Sequence, residues 1–201
     1  MAWLLCDYGE VLSLPQPPAD KKALEEAAEW DAGCGDFWEV YWRHRPGYDR
    51  GDVTSGDYWS GVLGRGPSPA QLRHLIDVDV AGWLHPNLRS LDAIDRLKGP
   101  GMRLAILSNA PVEVAEGIEA ARWLAPFTEK FFSCRLRAVK PEPAAYQAVV
   151  DALGATPEDI VFVDDRPVNV SAAAALGLRA ELFEGPDQFD RLVSGLSEPR
   201  G

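Results

Sequence analysis

The chain opens on an apolar run, Trp3 to Leu12 (WLLCDYGEVL), interrupted by one carboxylate, Asp7, and broken at Gly9. A run of this kind bounded by glycine predicts a buried strand. It sets Asp7 at the strand's carboxyl end, the edge where open α/β sheets hold their ligands. Pro15, Pro17 and Pro18 then bar both strand and helix before Ala19, which predicts a stiff connector and a boundary. Four helical patterns follow: Ala19 to about Gly33, with Leu24, Ala27, Ala28 and Trp30 apolar; Gly35 to Gly47; Thr54 to Gly64, with Thr54 as N-cap; and Ser68 to about Val78, with proline in its first turn. No convincing strand lies among them. Residues 15–81 are therefore predicted to be an all-helical insertion.

After Gly82 the pattern changes. Pro86 to Leu97 reads as an amphipathic helix stopped by Gly99-Pro100-Gly101, and Arg103 to Leu107 as a short buried strand ending at Ser108-Asn109. A helix from Pro111 to Leu124, a short strand from Lys130 to Ser133 and a helix from Pro141 to Leu153 come next. Ile160 to Val163 is a further strand, ending on Asp164-Asp165. A helix from Pro167 to Leu176, a strand from Leu178 to Phe183 and a helix from Asp187 to Leu196 close the chain. Strands alternating with helices of this length predict right-handed crossovers and a parallel sheet covered on both faces. The fold class is thus α/β: a doubly wound parallel sheet, residues 1–14 and 82–201, with an inserted helical domain, residues 15–81.

Composition adds constraints. The 201 residues carry 31 acidic and 20 basic side chains, a net charge of −11, which argues against nucleic acid or an anionic membrane as partner. An anionic ligand would meet a repulsive field, so a metal or a local cation must reverse its sign at the site. Cys6, Cys34 and Cys134 are odd in number and widely spaced, which speaks against a disulfide framework or a zinc site and for a reduced, cytoplasmic setting. The first residues lack a basic leading region, and no apolar stretch is long enough to span a membrane.

Three strands end on polar groups: Asp7, Ser108, and Asp164 with Asp165. In a parallel sheet these ends share one edge, and Lys140, in the loop ahead of Pro141, adds a cation within reach of it. Each residue alone has a plain structural account, since Ser108, Asn109 and the aspartates can cap helices and a lysine is usually solvated. Together, in this order, they point to one chemistry.

DYGEVL, LSNAP, VKPEPAAY and VFVDDRPVNV stand in the order of the four motifs of the haloacid dehalogenase superfamily of phosphohydrolases, and the resemblance covers nearly the whole chain. The helical insertion resembles the small cap of that superfamily, similar to the branch that holds sugar-phosphate phosphatases and the phosphatase domain of soluble epoxide hydrolases. The resemblance implies a phosphatase of small phosphorylated metabolites. Asp7 would be the nucleophile that forms an aspartyl-phosphate. Mg²⁺ would be held by the Asp7 carboxylate, the Gly9 carbonyl and the Asp165 carboxylate, with Asp164 and Asn169 behind them. Ser108 and the Asn109 amide would hold phosphoryl oxygens, and Lys140 would offset their charge.

Gly9 departs from the pattern, because many members carry a second aspartate there as general acid and base. A positioned acid or base is worth about 10²–10⁴ in rate. Its absence predicts a preference for acyl, aryl or anomeric sugar phosphates, whose leaving groups need little protonation. Glu10 is a candidate replacement, though neighbouring side chains diverge along extended chain. A catalytically weak or inactive member that binds a phosphorylated ligand or a protein partner is the alternative reading. In the cap, Trp38, Trp42 and Arg45 share a helical face that could select a substrate, with Arg45 suited to a second anion or a sugar hydroxyl, but the tryptophans read better as the cap's own core. The oligomeric state is open.

Overall fold

The computed structural model describes residues 2–31, 33, 35–97 and 102–196. Five strands, β1 (Ala2–Cys6), β2 (Met102–Ser108), β3 (Glu129–Phe132), β4 (Ile160–Asp164) and β5 (Arg179–Leu182), form one parallel sheet in the order β3-β2-β1-β4-β5. Strand β1 lies at the centre, and its unbroken apolar sequence follows from that position. Leu4 and Cys6 face one layer with Ile106, Val161 and Val163, while Trp3 and Leu5 face the other with Ala105, Leu107 and Phe162. A central strand covered on both faces has no polar side, so the period-2 alternation of half-exposed strands is absent.

Helices α1 (Pro18–Ala27), α2 (Phe37–Arg50), α3 (Ser55–Leu63) and α4 (Pro69–Trp83) are inserted after β1. They enclose an apolar cluster of their own around Leu24, Phe37, Tyr41, Tyr58, Trp59 and Leu75. Helices α5 (Leu88–Asp95), α6 (Val112–Ala120) and α10 (Pro186–Leu196) cover one face of the sheet. Helices α8 (Pro143–Leu153) and α9 (Pro167–Ala175) cover the other, and a single turn, α7 (Ser133–Leu136), follows β3. The two connections to the helical insert run side by side: Leu14 N–H donates to His85 O at 2.7 Å and Asn87 N–H to Leu12 O at 2.9 Å. The doubly wound α/β sheet with an inserted helical segment is the architecture expected from the sequence. Among the described residues, no helix is long and apolar enough to cross a membrane.

Several boundaries differ. Helix α1 stops at Ala27 rather than near Gly33: Glu29 takes φ +51°, and the Trp30 ring turns edge-on against Phe37 at 5.4 Å. Helix α2 runs through Pro46 and Gly47 to Arg50, because the residue that ends it is Gly51, at φ +79°. A side chain at Gly51 would stand 2.8 Å from the carbonyl of Cys134, so glycine is required there by conformation and by space. Helix α4 continues past Val78 to Trp83, which puts Gly82 inside its last turn. Helix α8 begins at Pro143, not Pro141, since a residue preceding proline is held extended, as Glu142 is at ψ 131°. Strand β3 ends at Phe132, and Ser133, expected as its last residue, starts α7. The Thr54 and Ser68 caps are as expected, with Thr54 and Asp57 forming a reciprocal capping box. Cys6 and Cys134 are buried free thiols. Cys34 and the Gly99-Pro100-Gly101 stop lie outside the described residues.

Candidate active site

At the carboxyl edge of the sheet, β1 hands the chain to Asp7, whose N–H continues the ladder to Val163 O at 2.8 Å. Ser108 is the last residue of β2 and Asp164 the last of β4, with Asp165 next. Oxygens of Asp7, Asp164 and Asp165 lie within 4.8 Å of one another. Three carboxylates this close repel one another strongly, and one cation stands among them. Lys140 Nζ is 2.7 Å from Asp7 Oδ1 and 2.6 Å from Asp164 Oδ2, with its side chain only 2% exposed.

The charges bear these contacts out. Burial pushes the Asp7 carboxyl up to about 7, against the lowering effect of Lys140 and with the repulsion of Asp164 and Asp165. Burial opposes the charge on Lys140, yet Asp7 and Asp164 outweigh it and hold the ammonium above its usual range. Half-burial and the neighbouring Asp164 likewise raise Asp165. The cluster thus holds more negative charge than Lys140 balances.

Each carboxylate has a distinct set of partners. Asp164 accepts from Lys140 Nζ, from Asn169 Nδ2 at 2.9 Å and from the Arg166 N–H at 2.9 Å, so its oxygens are occupied by the protein. Among the described residues, Asp7 is engaged only through Oδ1, by Lys140 and by the Tyr8 N–H at 2.6 Å. Asn169 Oδ1 is buried without a partner among the described residues, beside the same cleft. The clustered oxygens of Asp7, Asp164 and Asp165, the orphaned Asn169 amide oxygen and excess negative charge together suit a hard divalent cation.

Lys140 is held by a contact that sequence reasoning missed. The Asn109 side chain brackets its backbone, Nδ2 donating to Lys140 O at 2.9 Å and Oδ1 accepting from Lys140 N–H at 2.8 Å. Two side-chain bonds to one residue's peptide groups position that residue on the loop. The motif order alone carried no signal for this, because the bonds join residues 31 positions apart.

A cleft of about 190 Å³ opens over these groups, lined on the sheet side by Asp7, Gly9, Ser108, Asn109, Lys140 and Asp165. The helical insert closes the other side with Trp42, Arg45, Asp49 and Trp83. Glu10 and Arg166 also line it, Glu10 exposed and at φ +58°. Every core residue expected at the site is brought together. Among the helical residues, Trp42 and Arg45 reach the cleft, but Trp38 turns away and donates from Nε1 to Glu25 Oε1 at 2.6 Å. Arg45 is also not a free cation: it is buried against Asp49 at 2.6 Å and Asp79 at 3.1 Å. Asp49 and Trp83 were missed because both lie beyond the expected ends of their helices.

The insert is tied to the sheet domain near Lys140. Arg50 pairs through both terminal nitrogens with Glu142, the Tyr48 hydroxyl donates to Glu113 at 2.7 Å, and Ser133 Oγ donates to Asp49 O at 2.5 Å. These contacts all come from the last turn of α2, the turn made possible by Gly51.

Comparison with known proteins agrees with the geometry. The chain is 41% identical over 66 residues to flavin mononucleotide hydrolase 1 of Arabidopsis thaliana, covering 33% of this chain and 27% of that protein. It is 38% identical over 86 residues to haloacetate dehalogenase H-2 of a Moraxella species, covering 42% and 38%. The matches thus span well under half the length of either relative. In three dimensions it superposes on a HAD family enzyme of Bacteroides thetaiotaomicron, solved with magnesium and inorganic phosphate, at a TM-score of 0.71 and 19% identity over 90% of this chain and 93% of the other. The family model for haloacid dehalogenase-like hydrolases matches residues 18–177, four-fifths of the chain. With that match and the convergence of Asp7, Ser108, Lys140 and the Asp164-Asp165 pair on one sheet edge, the chain belongs to the haloacid dehalogenase-like hydrolases.

Proposed function

We propose that this hydrolase is a phosphatase of small phosphorylated metabolites that works through an aspartyl-phosphate on Asp7. The observation that carries the reading is the Asp7–Lys140–Asp164 arrangement, with Asp165 beside it and one Asp7 oxygen uncommitted. Tyr8 and Lys140 both hold Oδ1, so Oδ2 supplies the attacking lone pair. As the Oδ2–P bond forms, the bond from phosphorus to the leaving oxygen breaks in line, and water later cleaves the aspartyl-phosphate. Lys140 neutralises charge that would otherwise repel the incoming anion, while the Ser108 hydroxyl and the Asn109 amide donate to phosphoryl oxygens. Mg²⁺ bound by Asp7, Asp165 and the Gly9 carbonyl would supply further positive charge at the phosphoryl group, with Asp164 and Asn169 orienting the groups around it. Support for this metal comes from the all-oxygen donor set and from the Bacteroides enzyme, whose structure holds magnesium and phosphate.

Residues 1–14 and 82–201 act as the catalytic core and residues 15–81 as a cap that shields the cleft from water. The net charge and the free cysteines favour a cytoplasmic enzyme that engages neither nucleic acid nor an anionic membrane. One relative is a dehalogenase, but the paired Asp164-Asp165 favours metal-assisted phosphoryl chemistry. A second reading, a ligand-binding protein with little turnover, is favoured by Gly9, which gives the leaving group no acid.

p-Nitrophenyl phosphate distinguishes the two readings. Hydrolysis that requires Mg²⁺, stops with chelator and is abolished in Asp7→Asn is the expected result. Wild-type protein without metal-dependent hydrolysis overturns the phosphatase reading in favour of the second.

A further inference from the structure

Among the described residues, three cations line the cleft, and two are already matched by carboxylates. Lys140 bridges Asp7 and Asp164. Arg45, on the cap side, is matched twice: Nε meets Asp49 Oδ1 at 2.6 Å and Nη1 meets Asp79 Oδ2 at 3.1 Å. Asp79 is in turn held by the Tyr41 hydroxyl at 2.8 Å and by Trp83 Nε1 at 3.2 Å. The rings of Tyr41, Tyr48 and Trp83 stand 5.2, 5.7 and 5.6 Å from the guanidinium carbon. With Nε and Nη1 committed to carboxylates and three rings beside it, Arg45 is a poorer anchor for a substrate anion than an unpaired guanidinium. Its function is to hold two carboxylates, and one positive charge against two negative leaves the cap wall with an excess of negative charge. The third cation, Arg166, follows Asp165 on the sheet side, at the phosphoryl end of the cleft.

The wall offers a ligand two kinds of contact. Asp49 lines the cleft with its side chain 15% exposed, and an ionised carboxylate only accepts hydrogen bonds. The cleft also has apolar surface in Trp42, 48% exposed, and the half-buried Trp83 at 6.1 Å and 82° to it, with the buried Val114 and Ile118 of α6 behind. An apolar surface carrying one anionic acceptor suits a neutral ring or chain with a hydroxyl to donate. A second phosphate or a carboxylate placed there would meet like charge in a cleft that screens it poorly.

We propose that Asp49 is a specificity-determining residue of this cleft, selecting phosphate monoesters whose leaving group is neutral and hydroxyl-bearing and rejecting those that carry a second anion. The proposal rests on the phosphatase reading above and narrows its substrate class. The sequence pattern offered Arg45 for this wall, as the binder of a second anion or a sugar hydroxyl, rather than Asp49.

The test compares kcat/KM, with Mg²⁺, for removal of the 1-phosphate from α-glucose 1-phosphate and from α-glucose 1,6-bisphosphate, with phenyl phosphate as a reporter of basal chemistry. The first two share an anomeric leaving group and differ in the second anion. Wild type is expected to favour the monophosphate by about tenfold or more. In Asp49→Asn that preference should fall toward one, through a lower KM for the bisphosphate. Asp79→Asn, a positioning change outside the cleft that frees part of Arg45, should move the preference the same way, and it serves if Asn at 49 does not fold. Phenyl phosphate turnover together with equal wild-type efficiency on the two glucose phosphates overturns the assignment to Asp49 and leaves the phosphatase reading intact. So does a preference that neither variant alters. Failure to hydrolyse all three compounds overturns the phosphatase reading and this proposal with it.

Discussion

Lys140→Met removes a buried ammonium while keeping the length of the side chain, which packs 5.6 Å from the centre of the Phe162 ring. The lysine side chain is 2% exposed, Asp164 is fully buried and Asp7 is 11% exposed, so the substitution strands one carboxylate that water cannot reach and a second that meets water only at the cleft. Breaking a buried pair by removing one partner costs about 3–5 kcal/mol. The lower end is expected, because Asn169 and the Arg166 amide still hold Asp164 and Asp7 can escape its charge by binding a proton. For a chain of this size, a loss of about 3 kcal/mol lowers Tm by roughly 6–12 °C. The cost must also depend on pH. Asp7 titrates at about 7 in the folded protein, above its ordinary value of 3.8, so its protonated form stabilises the fold at low pH, and that contribution is lost as pH rises through the folded value. Without Lys140 the folded value rises further. Thermal or urea unfolding in chelator should therefore show the largest deficit of Lys140→Met at pH 8 and a smaller one at pH 5. A loss below about 1 kcal/mol at pH 8, or one that does not change between the two, refutes the electrostatic account of the cluster.

Gly9→Asp restores a carboxylate two residues after Asp7. The backbone there has no positive φ and a Cβ meets nothing within 4 Å, so a side chain can start there without backbone strain. Alkyl phosphate hydrolysis should rise by about 10²-fold or more while aryl phosphates gain less, measured as kcat on both classes, and equal gains on the two would refute proton transfer as the deficit. Asn109→Ala removes both side-chain bonds to the Lys140 backbone and should cost about 1–3 kcal/mol in unfolding experiments, with kcat for p-nitrophenyl phosphate falling as Lys140 loses its position. Unchanged stability would show that the loop holds Lys140 without that clamp.

The sheet and the core half of the site were legible in the sequence because each rests on local pattern. Trp3-Leu4-Leu5-Cys6 and Ile160-Val161-Phe162-Val163 are apolar at every position, as a strand covered on both faces requires, and a parallel sheet brings their polar ends to one edge whatever the loops do. Asp7, Ser108, Lys140, Asp164 and Asp165 could therefore be named together without coordinates. Helix ends were less legible. Pro46-Gly47 reads as a stop, yet α2 continues to Arg50, where Tyr48 stacks on Tyr58 at 4.3 Å and Arg50 pairs with Glu142, 92 positions away. Helix α4 likewise runs on to Trp83 because Trp83 Nε1 bonds Asp79 and its carbonyl accepts from the Tyr8 hydroxyl at 2.7 Å. Those two added turns carry Asp49 and Trp83 into the cleft and surround Arg45 with carboxylates and rings. The sequence by itself determined which residues meet at the sheet edge, since strand direction is a property of the whole pattern. Only the tertiary structure decided how they are charged and held, because desolvation, ion pairing and the reach of a side chain depend on which distant residues surround each group.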